Sequence, residues 1–364
     1  MNRRRKMMLL SGESIVYLFR DEFTTGESAP LTTPRACEPG PGTLTIVDTG
    51  NKLSIASGRL IRTAAGGTAW TDPRVYGGAQ TRAAGLAFSL SLNGVTNYGD
   101  MFGWRIATTG GAANIIGALA SGTDFYAWIG PASGQILCGA IAAGEHKICS
   151  ILRASGSFIV MDGNLIYVNV TSTATPVYPS WQISDVGVRT TSLDYMCVRQ
   201  LPAPWNSDYG VATGYVASPS SGEELTHEAD CSAFVYWTAA TGAVLEFDVR
   251  RTDADNRWVV RCDQSGSTIK LIERNAGTET ERSSAAQTFT DGAVYVIQVM
   301  PRGTTIRTAV ISAAAGANKN AYTSATFNQT ATLAKVAVTG GTLANFVTWP
   351  YTLSGSALSV LGGA

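Results

Sequence analysis

Charge is scarce in this sequence. Lys, Arg, Asp and Glu make up 15% of the 364 residues, against roughly 25% in soluble globular proteins. The 27 basic and 27 acidic side chains cancel. A surface without a net field offers nothing for a polyanion to follow, which excludes nucleic acid as an electrostatic partner. Histidine is scarcer still, with only His146 and His227 present. A histidine-rich zinc site cannot be built from two, and neither stands in an HExxH spacing. No GxSxG turn lifts a serine into a nucleophilic position. No apolar run approaches the ~18 residues of a bilayer span, so membrane insertion is not expected. The basic start is followed by an apolar patch broken at Ser11, Gly12, Glu13 and Ser14, unlike a signal peptide. Six cysteines, at 37, 138, 149, 197, 231 and 262, are too scattered for a disulfide scaffold or a CxxC knuckle. They read as small buried thiols, with one or more disulfides as the alternative.

What the sequence has is period two. Residues 85–92, GLAFSLSL, set Leu86, Phe88, Leu90 and Leu92 against Ala87, Ser89 and Ser91, the pattern of a half-buried strand. Residues 144–164, GEHKICSILRASGSFIVMDGN, read as strand, glycine turn, strand, glycine turn. Here Ile148, Ser150 and Leu152 share one face and Cys149, Ile151 and Arg153 the other, which fits a strand with one face buried and the other mixed. Thirty-nine glycines without a three-residue period suit many short strands and tight turns.

The second half repeats the plan. GAVLEFDVR at 242–250 is matched to GLAFSLSL, TIKLIER at 268–274 to the segment 125–129, and the strand-turn-strand at 293–311 to the hairpin at 144–164. Both halves end on an apolar strand running into proline, at 192–205 and 342–351. These matches predict an all-β chain of two tandem antiparallel β-sandwich domains. Residues 1–14 form a basic arm, 15–205 the first domain, 206–225 a linker and 226–364 the second domain.

The hairpin residues Arg153, Gly156, Phe158, Asp162 and Gly163, with Trp181 behind them, resemble the R-x-x-G-x-F-x-x-x-x-D-G hairpin of concanavalin A-like, laminin-G-like jelly rolls. The second half keeps only Arg302 and Gly303 of that pattern. The opening IVYLFRDEFTTGESAPL is similar to the DxFTxxDGTxL starts of such modules in tailed-phage virion proteins. The resemblance implies a jelly-roll fold and a virion location, in tail, fibre or head decoration.

Candidate chemistry is thin. Jelly rolls of this kind include glycoside hydrolases, which need two carboxylates flanking one bond. Glu246 and Asp248 offer an i, i+2 pair, yet the same pair serves as a solvated strand face, with Arg250 a partner in the row. Asp253, Asp255 and Asn256 are hard oxygen ligands at loop spacing that would suit Ca²⁺, and they are equally what a turn between strands requires. Trp70, in GGTAWTDPR, is the aromatic best placed to meet a ligand, because the tryptophans on alternating strands read as core. Arg3, Arg4, Arg5 and Lys6 either contact an acidic neighbour or remain a solvated terminus. The expectation is a non-enzymatic structural component of a tailed-phage virion, a homo-oligomer packing against other virion subunits. The alternatives are a carbohydrate-binding module that attaches to host surface glycans, and a glycoside hydrolase.

Overall fold

The computed structural model describes residues 16–63, 73–80, 86–94, 98–105, 115–129, 135–153, 156–169, 177–183, 191–201, 212–312, 316–324 and 330–353. Among them the regular structure is β-strand throughout. The first strands are β1 (Tyr17–Asp21), β2 (Arg35–Ala36), β3 (Thr43–Val47), β4 (Leu53–Ala56), β5 (Arg59–Arg62), β6 (Arg74–Gly77), β7 (Leu86–Gly94) and β8 (Tyr98–Arg105). There follow β9 (Ile115–Gly122), β10 (Asp124–Ile129), β11 (Gln135–Ala140), β12 (Gly144–Arg153), β13 (Gly156–Met161), β14 (Asn164–Asn169), β15 (Tyr178–Ile183) and β16 (Ser192–Gln200). Then come β17 (Gly214–Val216), β18 (Glu224–Thr226), β19 (Cys231–Thr238), β20 (Val244–Arg251), β21 (Arg257–Asp263) and β22 (Thr268–Asn275). The last are β23 (Thr278–Ala286), β24 (Val294–Arg302), β25 (Thr305–Ile311), β26 (Gly316–Thr323), β27 (Leu333–Thr339) and β28 (Thr342–Pro350).

These strands make four sheets arranged as two jelly-roll-like β-sandwich domains. One pair of sheets runs β14-β13-β12-β7-β16-β5-β4, with β1 added on β16, and β11-β10-β9-β8-β15-β6-β3-β2. The other pair runs β17-β28-β19-β24-β25-β26 and β18-β27-β20-β21-β22-β23. Two compact units contain them, the described parts of 1–125, 139–208 and 353–364, and those of 126–138 and 209–352. Each unit is assembled from more than one stretch of chain. The strands β17 and β18 fall in and at the edge of the expected linker, and each ends a sheet of the second pair.

The internal repeat is exact in topology. The order β14-β13-β12-β7-β16 answers to β26-β25-β24-β19-β28, and β11-β10-β9-β8-β15 to β23-β22-β21-β20-β27. Three of the four sequence matches fall in this register. The fourth is displaced by one strand: GAVLEFDVR lies on β20, the counterpart of β8, while the counterpart of GLAFSLSL on β7 is CSAFVYWT on β19. Five consecutive residues of β19, Cys231 to Val235, are buried. β19 carries apolar residues at successive positions from Ala233 to Trp237, so it has no period-two signal; β7 is also buried on both faces but keeps its alternation because Ala87, Ser89 and Ser91 are small.

The hairpin at 144–164 forms as expected, with β12 pairing β13 from Ile148↔Met161 to Arg153↔Gly156. Its position next to β7 buries Ile148, Cys149, Ser150, Ile151 and Leu152 alike, so both faces are covered rather than one. Asp162 and Gly163, at φ 51° and 82°, form a two-residue turn between Met161 and Asn164. Positive φ at both positions is what matches such a turn to strand twist. Asp162 Oδ1 accepts the Lys147 N–H at 2.9 Å, and its Oδ2 lies 2.6 Å from His146 Nδ1. His146 Nε2 faces the Ala142 carbonyl at 2.9 Å. With acceptors on both ring nitrogens the imidazolium is favoured, and the hydrogen bond to Asp162 leads in raising the His146 pKa.

Rings fill the cores. Phe88 meets Trp104 at 5.9 Å and Phe102 meets Phe125 at 6.1 Å in the first domain. In the second, Trp237 meets Phe289 at 5.1 Å and Phe247 meets Phe346 at 5.6 Å. Each ring removes on the order of 200 Å² from water, about 5 kcal/mol before conformational entropy is subtracted. Trp104, Trp181, Trp237, Trp258 and Trp349 are fully buried, as expected of tryptophans on alternating strands. All six cysteines are buried free thiols, and burial raises Cys138 and Cys197 to about 11.

Asp100 places a carboxylate within the first core. Asp100 accepts Trp181 Nε1–H and the Thr191 hydroxyl on Oδ1, both at 3.1 Å, and the Gly99 N–H on Oδ2 at 3.2 Å. Burial outweighs these donors and lifts its pKa from the ordinary 3.8 to about 6. The folded state therefore holds the proton more tightly than the unfolded chain. The Asp100 contribution, on the order of 2–3 kcal/mol, is present below the ordinary value and is lost as pH rises through 6. Asparagine mimics the protonated form, so Asp100→Asn should remove this slope. Urea unfolding of both proteins between pH 4 and 7 checks it, and a gap between them that stays constant across the range would refute it.

Candidate functional site

Two outward sheet faces each gather a set of polar side chains. On β20, Glu246 and Asp248 do share the outward face. Each is held by a guanidinium from β21: Arg261 Nε donates to Glu246 Oε1 at 2.7 Å, and Arg257 Nε lies 3.0 Å from Asp248 Oδ2. Arg261 also donates to both oxygens of Glu279 on β23, at 3.1 and 3.2 Å. Lys270 pairs with Glu281 at 2.9 Å, and Arg251 with Glu224 at 2.9 Å. To reach Glu279, the Arg261 side chain crosses β22 over Ile272, which with its neighbour Val259 is buried on this outward face. The arginine stems cover apolar surface and their heads close ion pairs.

This is poor ground for hydrolysis. Burial lifts Asp248 to about 6 with Glu246 adding to the rise, the kind of split a glycosidase exploits. However, Arg257, Arg251 and Lys335 surround that carboxylate and Arg261 holds the other. Arg250 is not their partner in the row. A β-bulge between Asp248 and Arg251 puts Arg250 at φ 47° and turns it to Asp230, Ala229 and Gly303.

Asp253, Asp255 and Asn256 form the turn between β20 and β21, and their oxygens are engaged by the protein itself. Asp253 Oδ1 accepts the Asp255 N–H at 2.7 Å, and both its oxygens face Asn256 Nδ2 at 3.0 Å. Asn256 Oδ1 accepts the Ala276 N–H at 3.1 Å, and Asp255 lies 3.5 Å from Arg274. Among the described residues no three His, Cys, Asp or Glu side chains form a metal-holding group. Trp70 and the basic residues Arg3, Arg4, Arg5 and Lys6 lie outside the described residues.

The corresponding face in the other domain, over β8, β15, β6 and β3, is differently built. Strand pairing sets Tyr178 opposite Arg105, Ser180 between Gly103 and Tyr76, and Gln182 between Met101 and Arg74. Gly103 pairs with Gly117 on β9, so no side chain rises there. Arg105 lies across this bare floor and donates Nη1–H to Gln182 Oε1. Tyr76 and Tyr178 meet edge to face at 6.3 Å and are half-buried, as is Arg74, while Arg105, Ser180 and Gln182 are fully buried. Among the described residues the Ser180 hydroxyl has no hydrogen-bond partner. Burial leads in lowering the Arg105 pKa to about 10, and the Arg74 charge adds to it. The sequence gives no sign of this grouping, since its members come from three strands spread over a hundred residues.

The strand pairing defines an all-β protein of two tandem jelly-roll-like sandwiches. No family model matches the sequence, and no curated protein does. Among solved structures the chain is similar to the CBM2 module of the evolved Dit of Lactobacillus casei BL23 phage J-1, at 12% identity and TM-score 0.34, over 53% of this chain and 97% of that one. It is also similar to a Caenorhabditis elegans galectin, at 10% identity and TM-score 0.31, over 37% and 94%. Domains LG4-5 of the mouse laminin α1 chain match at 13% identity and TM-score 0.23, over 74% and 82%. Scores of this size leave the fold to rest on the strand pairing.

Proposed function

We propose that the protein is a non-catalytic carbohydrate-binding module whose ligand lies on the outward face of β6 and β15. The observation that carries this is the Tyr76–Tyr178 pair, two half-exposed rings at 6.3 Å held over the buried Arg105–Gln182 bridge. A sugar ring has an apolar C–H face and a rim of hydroxyls. Aromatic rings take the face, and neighbouring amide, phenol and guanidinium groups take the rim. The sheet fixes both rings in place before the ligand arrives, which lowers the ordering cost of binding.

A glycan array followed by titration calorimetry on the best ligand tests this. Tyr178→Ala should weaken Kd at least tenfold, equivalent to about 1.4 kcal/mol. Retention of full affinity in that variant, or no binding across the array by the native chain, would sink the proposal. A place in a tailed-phage virion, among other virion subunits and in several copies, is part of the same reading and is supported by the resemblance of the opening motif. Its check is the presence of the chain in purified particles.

A further inference from the structure

We infer that His227 is a proton-operated latch, which acid opens to free residues 224–230 of the second domain. It stands independently of the glycan reading. His227 is 3% exposed and lies between the end of β18 and the start of β19. Its Nε2 accepts the backbone N–H of Arg250 at 3.3 Å, and its Nδ1 faces the Glu228 carbonyl. A backbone N–H only donates, so Nε2 offers a lone pair and the ring's proton stands on Nδ1, donated to Glu228. Both nitrogens are thus committed in one neutral tautomer. A second proton, on Nε2, would point at the Arg250 N–H, end that hydrogen bond and put a new charge beside a guanidinium that is itself 1% exposed.

The Arg250 N–H belongs to the bulge of β20, and the same residue's guanidinium clasps Ala229, Asp230 and Gly303. Losing the imidazole lone pair therefore loosens the bulge together with the loop it holds. The neighbouring β18 is a short edge strand, three residues paired with β27, where local opening is cheapest. The charges around the ring favour its neutral form. Glu224 on β18 is held by Arg251 and Lys335, Asp230 on the loop by Arg250, and Asp248 on β20 by Arg257. Glu228 is exposed and turns its carbonyl to the ring, and burial keeps the Cys231 thiol on β19 neutral, at about 12. Burial leads in lowering the His227 pKa and the Arg250 charge adds to it, while the backbone of Glu228 and Leu333 pulls the other way. With a folded-state value below the ordinary 6.5, the latch is intact above 6.5 and weakens as pH falls below it. His146, Asp100 and Asp248 are shifted upwards, so over the same range they add stability and do not mimic the effect.

Hydrogen–deuterium exchange on the full chain, compared between about pH 7.5 and about pH 5 and corrected for intrinsic exchange, tests this. The opening equilibrium of residues 224–230 should rise about tenfold or more on acidification, with β21 and β22 unchanged. His227→Gln keeps an acceptor for the Arg250 N–H and a donor for the Glu228 carbonyl without titrating, so the pH difference should vanish in it. Should that variant not fold, the native chain decides by itself. Its two histidines give separate imidazole resonances, and that of His227 should titrate below 6.5, in step with the exchange, while that of His146 titrates above. Exchange at 224–230 that ignores pH, an equal rise in His227→Gln, or a His227 ring that protonates above 6.5 would overturn the inference.

Discussion

Replacing Arg250 with methionine should cost the second domain about 2–3 kcal/mol, because two backbone carbonyls lose a charged donor while Asp230, 41% exposed, is left to water. The Arg250 side chain is 1% exposed. Its Nε donates to the Ala229 carbonyl at 3.0 Å, Nη1 to the Gly303 carbonyl at 2.7 Å and Nη2 to Asp230 Oδ1 at 2.9 Å. Asp230 Oδ1 also accepts the Gly303 N–H at 2.9 Å. One guanidinium thus joins the loop before β19, the bulge in β20 and the turn between β24 and β25. Lysine carries the charge without the fork, so Arg250→Lys should recover little. Arg250→Gly relieves the positive φ and should still unfold early, which separates the guanidinium from the backbone. Urea unfolding of the full chain reads all three. A loss under about 1 kcal/mol for methionine would show that the loops hold without it.

Arg35→Met should be comparably severe in the first domain. Asp21 is fully buried and Arg35 nearly so. Arg35 Nε donates to Asp21 Oδ2 at 3.0 Å and Nη1 to Glu27 Oε2 at 2.9 Å, with Nη2 3.4 Å from Glu38. Asp21 Oδ1 accepts the Phe23 N–H at 2.8 Å, fixing that residue at φ 51° with its ring buried. Without Arg35 a carboxylate stays in the interior uncompensated, at about 3–5 kcal/mol. Burial already raises the Asp21 pKa, and removing the cation raises it further. A raised folded-state pKa gives stability that grows as pH falls, so the deficit of Arg35→Met should narrow on acidification towards pH 4. Asp21→Asn combined with Arg35→Met should cost less than the two singles summed. A deficit independent of pH, together with additive singles, would place the cost outside the ion pair.

The opening motif shows how far the sequence carried. Asp21, Phe23 and Thr24 were legible as a recurrent start, yet their partner Arg35 was not. A salt bridge across fourteen residues leaves no period in the sequence. Strands whose large apolar and small or polar residues alternate were readable, as on β10, and as on β7 and β12 even though both faces of those two strands are buried rather than the one face expected. Strands lacking that contrast were not. TETERSSAA on the edge strand β23 is almost wholly exposed and polar, and CSAFVYWT on β19 is almost wholly buried. The candidate face was hidden for a further reason: Arg74, Tyr178, Gln182 and Arg105 become neighbours only when β6, β15 and β8 pair, and pairing order is not encoded in any one segment.

The bare pair Gly103 and Gly117 separates what may vary from what may not. A Cβ on Gly117 would lie 2.1 Å from the Phe102 carbonyl oxygen and 2.7 Å from the Gly103 Cα, so that position is closed to every other residue. Around it, the twin sheet shows the same ladder carrying an unrelated set of side chains. The two domains are therefore one frame with interchangeable faces. Transplanting Arg74, Tyr76, Arg105, Tyr178 and Gln182 onto their counterparts would ask whether recognition can be moved as a patch, and a lineage that duplicates this frame obtains a second surface free to be rewritten.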